Sequence, residues 1–179
     1  AKDLLFYSAD IHGNLLARQR ISVLRHLMED PSGVVVTTLD GLMDHLLLLS
    51  QMKKHVLHIE HGQELDLDYW KDQLVRLGYE RTAQVDGMGQ FSIRGGILDI
   101  FPLTEEVPIR IELWDTEVDS IRSFDLESQR SIERIAEFTI FPASELILTT
   151  EQIADGFTKM AKDAAKISTK LKKAKKFEE

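Results

Sequence analysis

The spacing of apolar residues along this chain changes in blocks, from helical to alternating and back to helical. Leu15, Leu16, Ile21, Leu24 and Leu27 recur at roughly helical spacing, which predicts a helix over about 14–28. Pro31-Ser32-Gly33 ends it, and Val34-Val35-Val36-Thr37-Thr38 reads as a buried strand. Thr38 stands where it can cap a further short helix holding Leu42, Met43 and Leu46. An apolar run at residues 4–7 precedes all of this. Strand–helix alternation is the mark of an α/β segment, and one such pair cannot close a sheet. Residues 1–55 therefore read as an α/β piece whose beginning is missing.

From Val56 the pattern differs. Asp66 or Asp68 can cap a helix carrying Leu67, Trp70, Leu74 and Leu77, with Gly78 placed as its C-terminal glycine. Alternating runs follow at 81–85, 90–94, 97–101, 109–114, 118–124 and 138–141. Short connections such as Gly95-Gly96 and Asp115-Thr116 favour antiparallel hairpins. One helix plus a meander is an α+β domain, expected over 56–142. Residues 143–179 then return to a helix. Thr149 and Gln152 fit a capping box, and Ile153, Phe157, Met160, Ala164, Ile167 and Leu171 follow at helical spacing.

Charge sharpens the division. The 179 residues carry a net charge of −8, yet 56–142 alone holds eighteen acids against eight bases, seven of them arginine. Such a block either reflects drift in composition or displays arginines to a protein partner, since Arg suits bidentate contacts better than Lys. The lysine-rich end, 170–176, reads as a solvated helix terminus, with a nucleic-acid patch as the alternative. The absence of cysteine excludes disulfides, thiolate metal sites and a Cys nucleophile. No apolar run approaches the length of a membrane span, and no signal peptide opens the chain, so a cytoplasmic setting is expected.

Several motifs invite enzymatic readings. Asp10-Ile11-His12-Gly13-Asn14 resembles the first metal motif of calcineurin-like metallophosphoesterases, but the Gly-Asp and Gly-Asn-His motifs that complete such a dimetal site are missing. Asp10 and Asn14 are more simply helix-capping residues. His55, His58 and His61 do not share one face of a strand, and they lack partners for a four-ligand set. No Gly-Lys phosphate loop exists, and Gly87-Met88-Gly89 sits between strands, so nucleotide binding by this chain is not expected.

Strand alternation yields a different candidate. Phe91 and Ile93 take one face, with Ser92 and Arg94 on the other. Ile109, Ile111 and Leu113 face the core, which puts Arg110, Glu112 and Trp114 together on the opposite face. In a meander Arg94 can join them. Arg and Trp on one polar face are the residue types of binding hot spots. The competing reading has Trp114 packed under a loop and both arginines paired with local acids.

Gly89-Gln90-Phe91-Ser92-Ile93-Arg94-Gly95-Gly96-Ile97-Leu98-Asp99-Ile100-Phe101-Pro102, then Pro108-Ile109-Arg110-Ile111-Glu112-Leu113-Trp114, the run 115–125 and Ser128-Gln129-Arg130-Ser131 resemble the UvrB-homology module of transcription-repair coupling factors. UvrB shares the general plan, but it continues its Arg-Gly with Asp-Val and has a tyrosine-rich DNA hairpin not seen here. A UvrB-like piece contacting DNA is the alternative.

The resemblance implies a fragment of a multidomain, ATP-driven DNA translocase that displaces stalled RNA polymerase and recruits UvrA. It implies that 1–55 ends the first half of the first domain, 56–142 is an inserted UvrA-binding domain, and 143–179 begins the returning half. The family's UvrA-contacting positions fall on Arg94 and Arg110, with its aromatic matched by Trp114. It implies no catalytic, metal or cofactor residue in this chain, since the motor that uses ATP and Mg, and the contacts to RNA polymerase and DNA, lie in other domains. On this reading alanine at Arg110 should weaken UvrA binding without unfolding the sheet.

Overall fold

A computed structural model describes residues 13–30, 32–43 and 47–175. Among them, those up to Ile147 form one compact unit and those from Leu148 a second. The first unit opens with α1 (Gly13–Glu29), α2 (Leu39–Met43) and α3 (Leu49–Met52), the last running into a 3₁₀ turn at Lys53–His55. There follow β1 (Leu57–Glu60), α4 (Leu67–Arg76), β2 (Glu80–Arg81), β3 (Gln90–Arg94), β4 (Ile97–Phe101), β5 (Ile109–Trp114), β6 (Glu117–Phe124), β7 (Ser131–Ile135) and β8 (Glu137–Ile140). The second unit is α5 (Thr150–Lys175). The fold is α+β.

Six strands lie in the order β2-β3-β4-β5-β6-β7, while β1 and β8 pair antiparallel in a small sheet of their own. From β3 to β7 every neighbour is antiparallel, the meander that alternation predicts. Only β2 runs parallel to its partner, and it is shorter than the expected run over 81–85. The chain leaves the ladder at once, because the Ala83 carbonyl accepts from Ser92 Oγ at 2.9 Å while Val85 turns into the interior.

Residues 34–38 also depart from the expected strand. This segment is irregular and is not a buried strand: Val34 is 93% exposed. Among the described residues no strand runs beside it, so its backbone has no ladder to join. Thr38 does cap the next helix, its Oγ1 accepting from the Gly41 amide at 3.1 Å. The described part of α1 starts at Gly13, which places Asn14 within the helix. Asp10, His12, the run 4–7 and Leu46 lie outside the described residues.

Asp66 caps α4, accepting from the amides of Asp68 and Tyr69. Trp70, Leu74 and Leu77 then return on one helical face and join the main apolar cluster with Phe91, Leu98, Ile100 and Ile111. From α1, Ile21, Leu24 and Met28 enter the same cluster. Gly78 closes α4 at φ +91°, where a Cβ would fall 2.6 Å from that of Ser144. Only glycine suits that left-handed, crowded position. In the second unit the capping box is formed, with Thr149 Oγ1 and Gln152 Oε1 each accepting from the other residue's amide.

Tyr79 ties the end of α4 to the end of β8. Its buried hydroxyl donates to the Phe141 carbonyl at 2.7 Å. Burial, reinforced by the nearby Glu105 charge, raises its pKa well above the ordinary tyrosine value. A raised folded-state pKa leaves stability intact below about pH 10, the unfolded value, and removes it as pH rises further. Alkaline titration should therefore release the Tyr79 tyrosinate signal only together with unfolding. In Tyr79→Phe that delayed component should vanish, at a loss of about 1 kcal/mol for the missing hydrogen bond.

Candidate functional site: a polar sheet face

Cross-strand register assigns each side chain to a face. Phe91, Ile93, Leu98, Ile100, Ile109, Ile111 and Ile121 line the core side. On the other side Ser92, Asp99, Arg110, Arg122 and Arg134 stand opposite one another in turn across β3 to β7. The next row is Arg94, Ile97, Glu112 and Ser120. Trp114 lies one side-chain step beyond Glu112 along β5.

The centre of this face is Asp99, 1% exposed. Its Oδ1 accepts from Arg110 Nε at 2.7 Å. Its Oδ2 accepts from Arg110 Nη2 at 2.9 Å and from Arg94 Nη2 at 3.1 Å. Arg110 is further held by Gln129 Oε1 at 3.1 Å and lies over the Phe124 ring, 4.5 Å from its centroid. Its hydrogen bond to Asp99 leads the effects that raise its pKa above the already high arginine value. The Arg110 side chain is only 15% exposed, whereas that of Arg94 is 50% exposed. One buried carboxylate thus serves two guanidiniums, leaving a net positive cluster whose outward cation is Arg94. Beside it Glu112 is paired with Arg122 at 3.0 Å and accepts a hydrogen bond from Ser120 Oγ at 2.7 Å.

Trp114 is 82% exposed, so it does not pack under a loop. The hairpin behind it is well held. β6 carries an extra residue, Asp119, where its register with β5 shifts, and the Asp115 turn residue adopts φ +57°. Along the other side of β6, Gly62 donates to the Val118 carbonyl, Val118 to Gln63, and Leu65 to Thr116, all within 2.9 Å. The segment 62–65 thus continues the sheet below the point where β7 ends. An exposed indole on a hairpin pinned along its edge presents apolar area without prior ordering of the backbone.

The structure therefore brings Arg94 and Arg110 together and sets Trp114 on the same face, two strands across from Arg94. Both arginines do pair with a local acid. Sequence reasoning missed that acid and also Gln129 and Phe124. A signal existed for Asp99: a single carboxylate inside Ile97-Leu98-Asp99-Ile100-Phe101 must be buried, and a buried charge needs a partner. Elsewhere, His58 lies in β1 near Thr139 Oγ1 and Glu137. Among the described residues no three His, Asp or Glu side chains converge as a metal site requires. No helix among them is long and apolar enough to cross a membrane.

The chain belongs to the UvrB interaction domain family, which matches residues 57–146, from β1 to the loop after β8. Beyond that domain it is similar to transcription-repair-coupling factors. The one from Bacillus subtilis strain 168 is 42% identical over 163 residues, covering 91% of this chain and 14% of the relative. That from Staphylococcus aureus strain bovine RF122 is 44% identical over 138 residues, covering 77% and 12%. This chain thus spans only about one-seventh of the first relative's length.

Proposed function

We propose that this chain is the UvrA-recruiting module of a transcription-repair-coupling factor, working in transcription-coupled nucleotide excision repair in the bacterial cytoplasm. The polar sheet face is its docking surface, with Arg94 and Trp114 as outward anchors and Arg110 as their inner support. The observation that carries this reading is the presence of a half-exposed guanidinium and a largely exposed indole on one sheet face. Residues 56–142 form the docking domain on this view, flanked by the two halves of a neighbouring domain in 1–55 and 143–179. ATP, Mg, RNA polymerase and DNA are handled by the rest of the parent protein. The module itself docks and does no chemistry.

Calorimetric titration with UvrA tests this directly. Wild type should bind saturably. Trp114→Ala and Arg94→Ala should each lose about 2 kcal/mol of affinity, the order of a binding hot spot, with circular dichroism and melting unchanged. A well-folded wild type that does not bind UvrA would remove the proposal.

A further inference from the structure

We propose that Asp99 is the positioning residue of this face: it holds Arg94 and Arg110 together in the free protein without itself touching the partner. The inference rests on the docking reading above. Two guanidiniums on adjoining rows of a sheet repel each other, and a half-exposed arginine otherwise samples many rotamers. Asp99 removes both difficulties. Arg110 chelates it through Nε and Nη2, which fixes the carboxylate plane. The second lone-pair site on Oδ2 then fixes Arg94 Nη2, while the half-exposed guanidinium keeps further donors for a partner. With 1% exposure, Asp99 offers a partner nothing of its own.

Stability alone gives little reason for such a triad, because well-packed apolar side chains replace buried ion pairs without loss in many proteins. What apolar replacements cannot do is hold a cation in one orientation before docking, and preordered side chains bind more tightly.

The test combines Asp99→Asn with Arg94→Ala in a double-mutant cycle, read by calorimetry with UvrA. Asparagine keeps the shape of the site and an acceptor for Arg110 Nε while removing the charge. Asp99→Asn should bind at least tenfold more weakly while circular dichroism shows the native sheet. In the Arg94→Ala background the same substitution should cost at least threefold less affinity, the remainder being its effect on Arg110. Wild-type affinity in Asp99→Asn, or an equal loss in both backgrounds, overturns the positioning role while wild-type binding keeps the docking reading intact. No binding by folded wild type overturns both. Side-chain nuclear magnetic resonance of the free wild type gives a check independent of the variant's folding. The Arg110 Nε–H signal should be slow to exchange and the Arg94 guanidinium should show restricted rotation through its Nη2 bond to Asp99, and an averaged, freely mobile Arg94 signal would overturn the proposal.

Discussion

Arg110→Ala should destabilise the fold by about 3 kcal/mol, the low end of what breaking one side of a buried ion pair costs. The substitution leaves Asp99 inside the sheet with a single guanidinium, Arg94 Nη2 at 3.1 Å, in place of three bonds, and strips Phe124 of the guanidinium above its ring. Equilibrium denaturation should show the midpoint falling with little change in slope. Arg94→Ala should do far less, since Arg110 still binds both carboxylate oxygens. The two arginines look equivalent in the strand pattern, but they differ in depth, and depth decides. A loss of UvrA binding in Arg110→Ala must therefore be read beside its melting curve, since the expectation from sequence is weaker binding without unfolding of the sheet. If Arg110→Ala unfolds like wild type, the triad is not holding the face together.

Phe91→Ala should cost about 3–5 kcal/mol, the range for removing a fully buried ring. Phe91 has no exposed surface, pairs with Ile100 on β4, and belongs to the cluster that receives Leu74 from α4. Its backbone carbonyl also accepts from Thr82, fixing β2 to the sheet. Against a typical total of 5–15 kcal/mol, such a loss should leave a measurable unfolded fraction under native conditions. Ile132→Ala, on the exposed surface of β7, should change the midpoint by only a few tenths of a kcal/mol. Thermal and urea unfolding of the two variants side by side would measure the contrast, and comparable losses would mean the core is not organised around β3.

Where burial on one face imposes alternation, the sequence reveals the strands. The bounds of β3, β4 and β5 follow directly from Phe91/Ile93, Leu98/Ile100 and Ile109/Ile111. β7 escapes because Ser131-Ile132-Glu133-Arg134-Ile135 is exposed for nearly its whole length, so no buried face writes a pattern into it. β1 escapes for a related reason, its four residues including His58 and Glu60, with only Ile59 fully buried. Val34–Thr38 has the opposite problem. Its composition demands a strand, and a strand needs a neighbour, which is a property of the fold and not of the segment. At the site, alternation is enough to gather Arg94, Arg110 and Trp114 on one face. It is silent on depth, because the inward lean of Arg110 depends on Asp99, Gln129 and Phe124, which come from other elements.

The charges along β7 acquire a purpose once a second copy of the chain is considered. An open last strand is a template for edge-to-edge aggregation. Two such edges can join symmetrically only antiparallel, about a two-fold axis perpendicular to the sheet, so each residue meets one on its own face. With that axis at Glu133 or Arg134, each meets its own like-charged copy; at Ile132, Arg130 faces Arg134; at Ile135, Glu133 faces Glu137. Every central register thus sets equal charges opposite each other, which destabilises the pairing. The strand least visible in the hydrophobic pattern is thereby also the one least able to recruit its own kind.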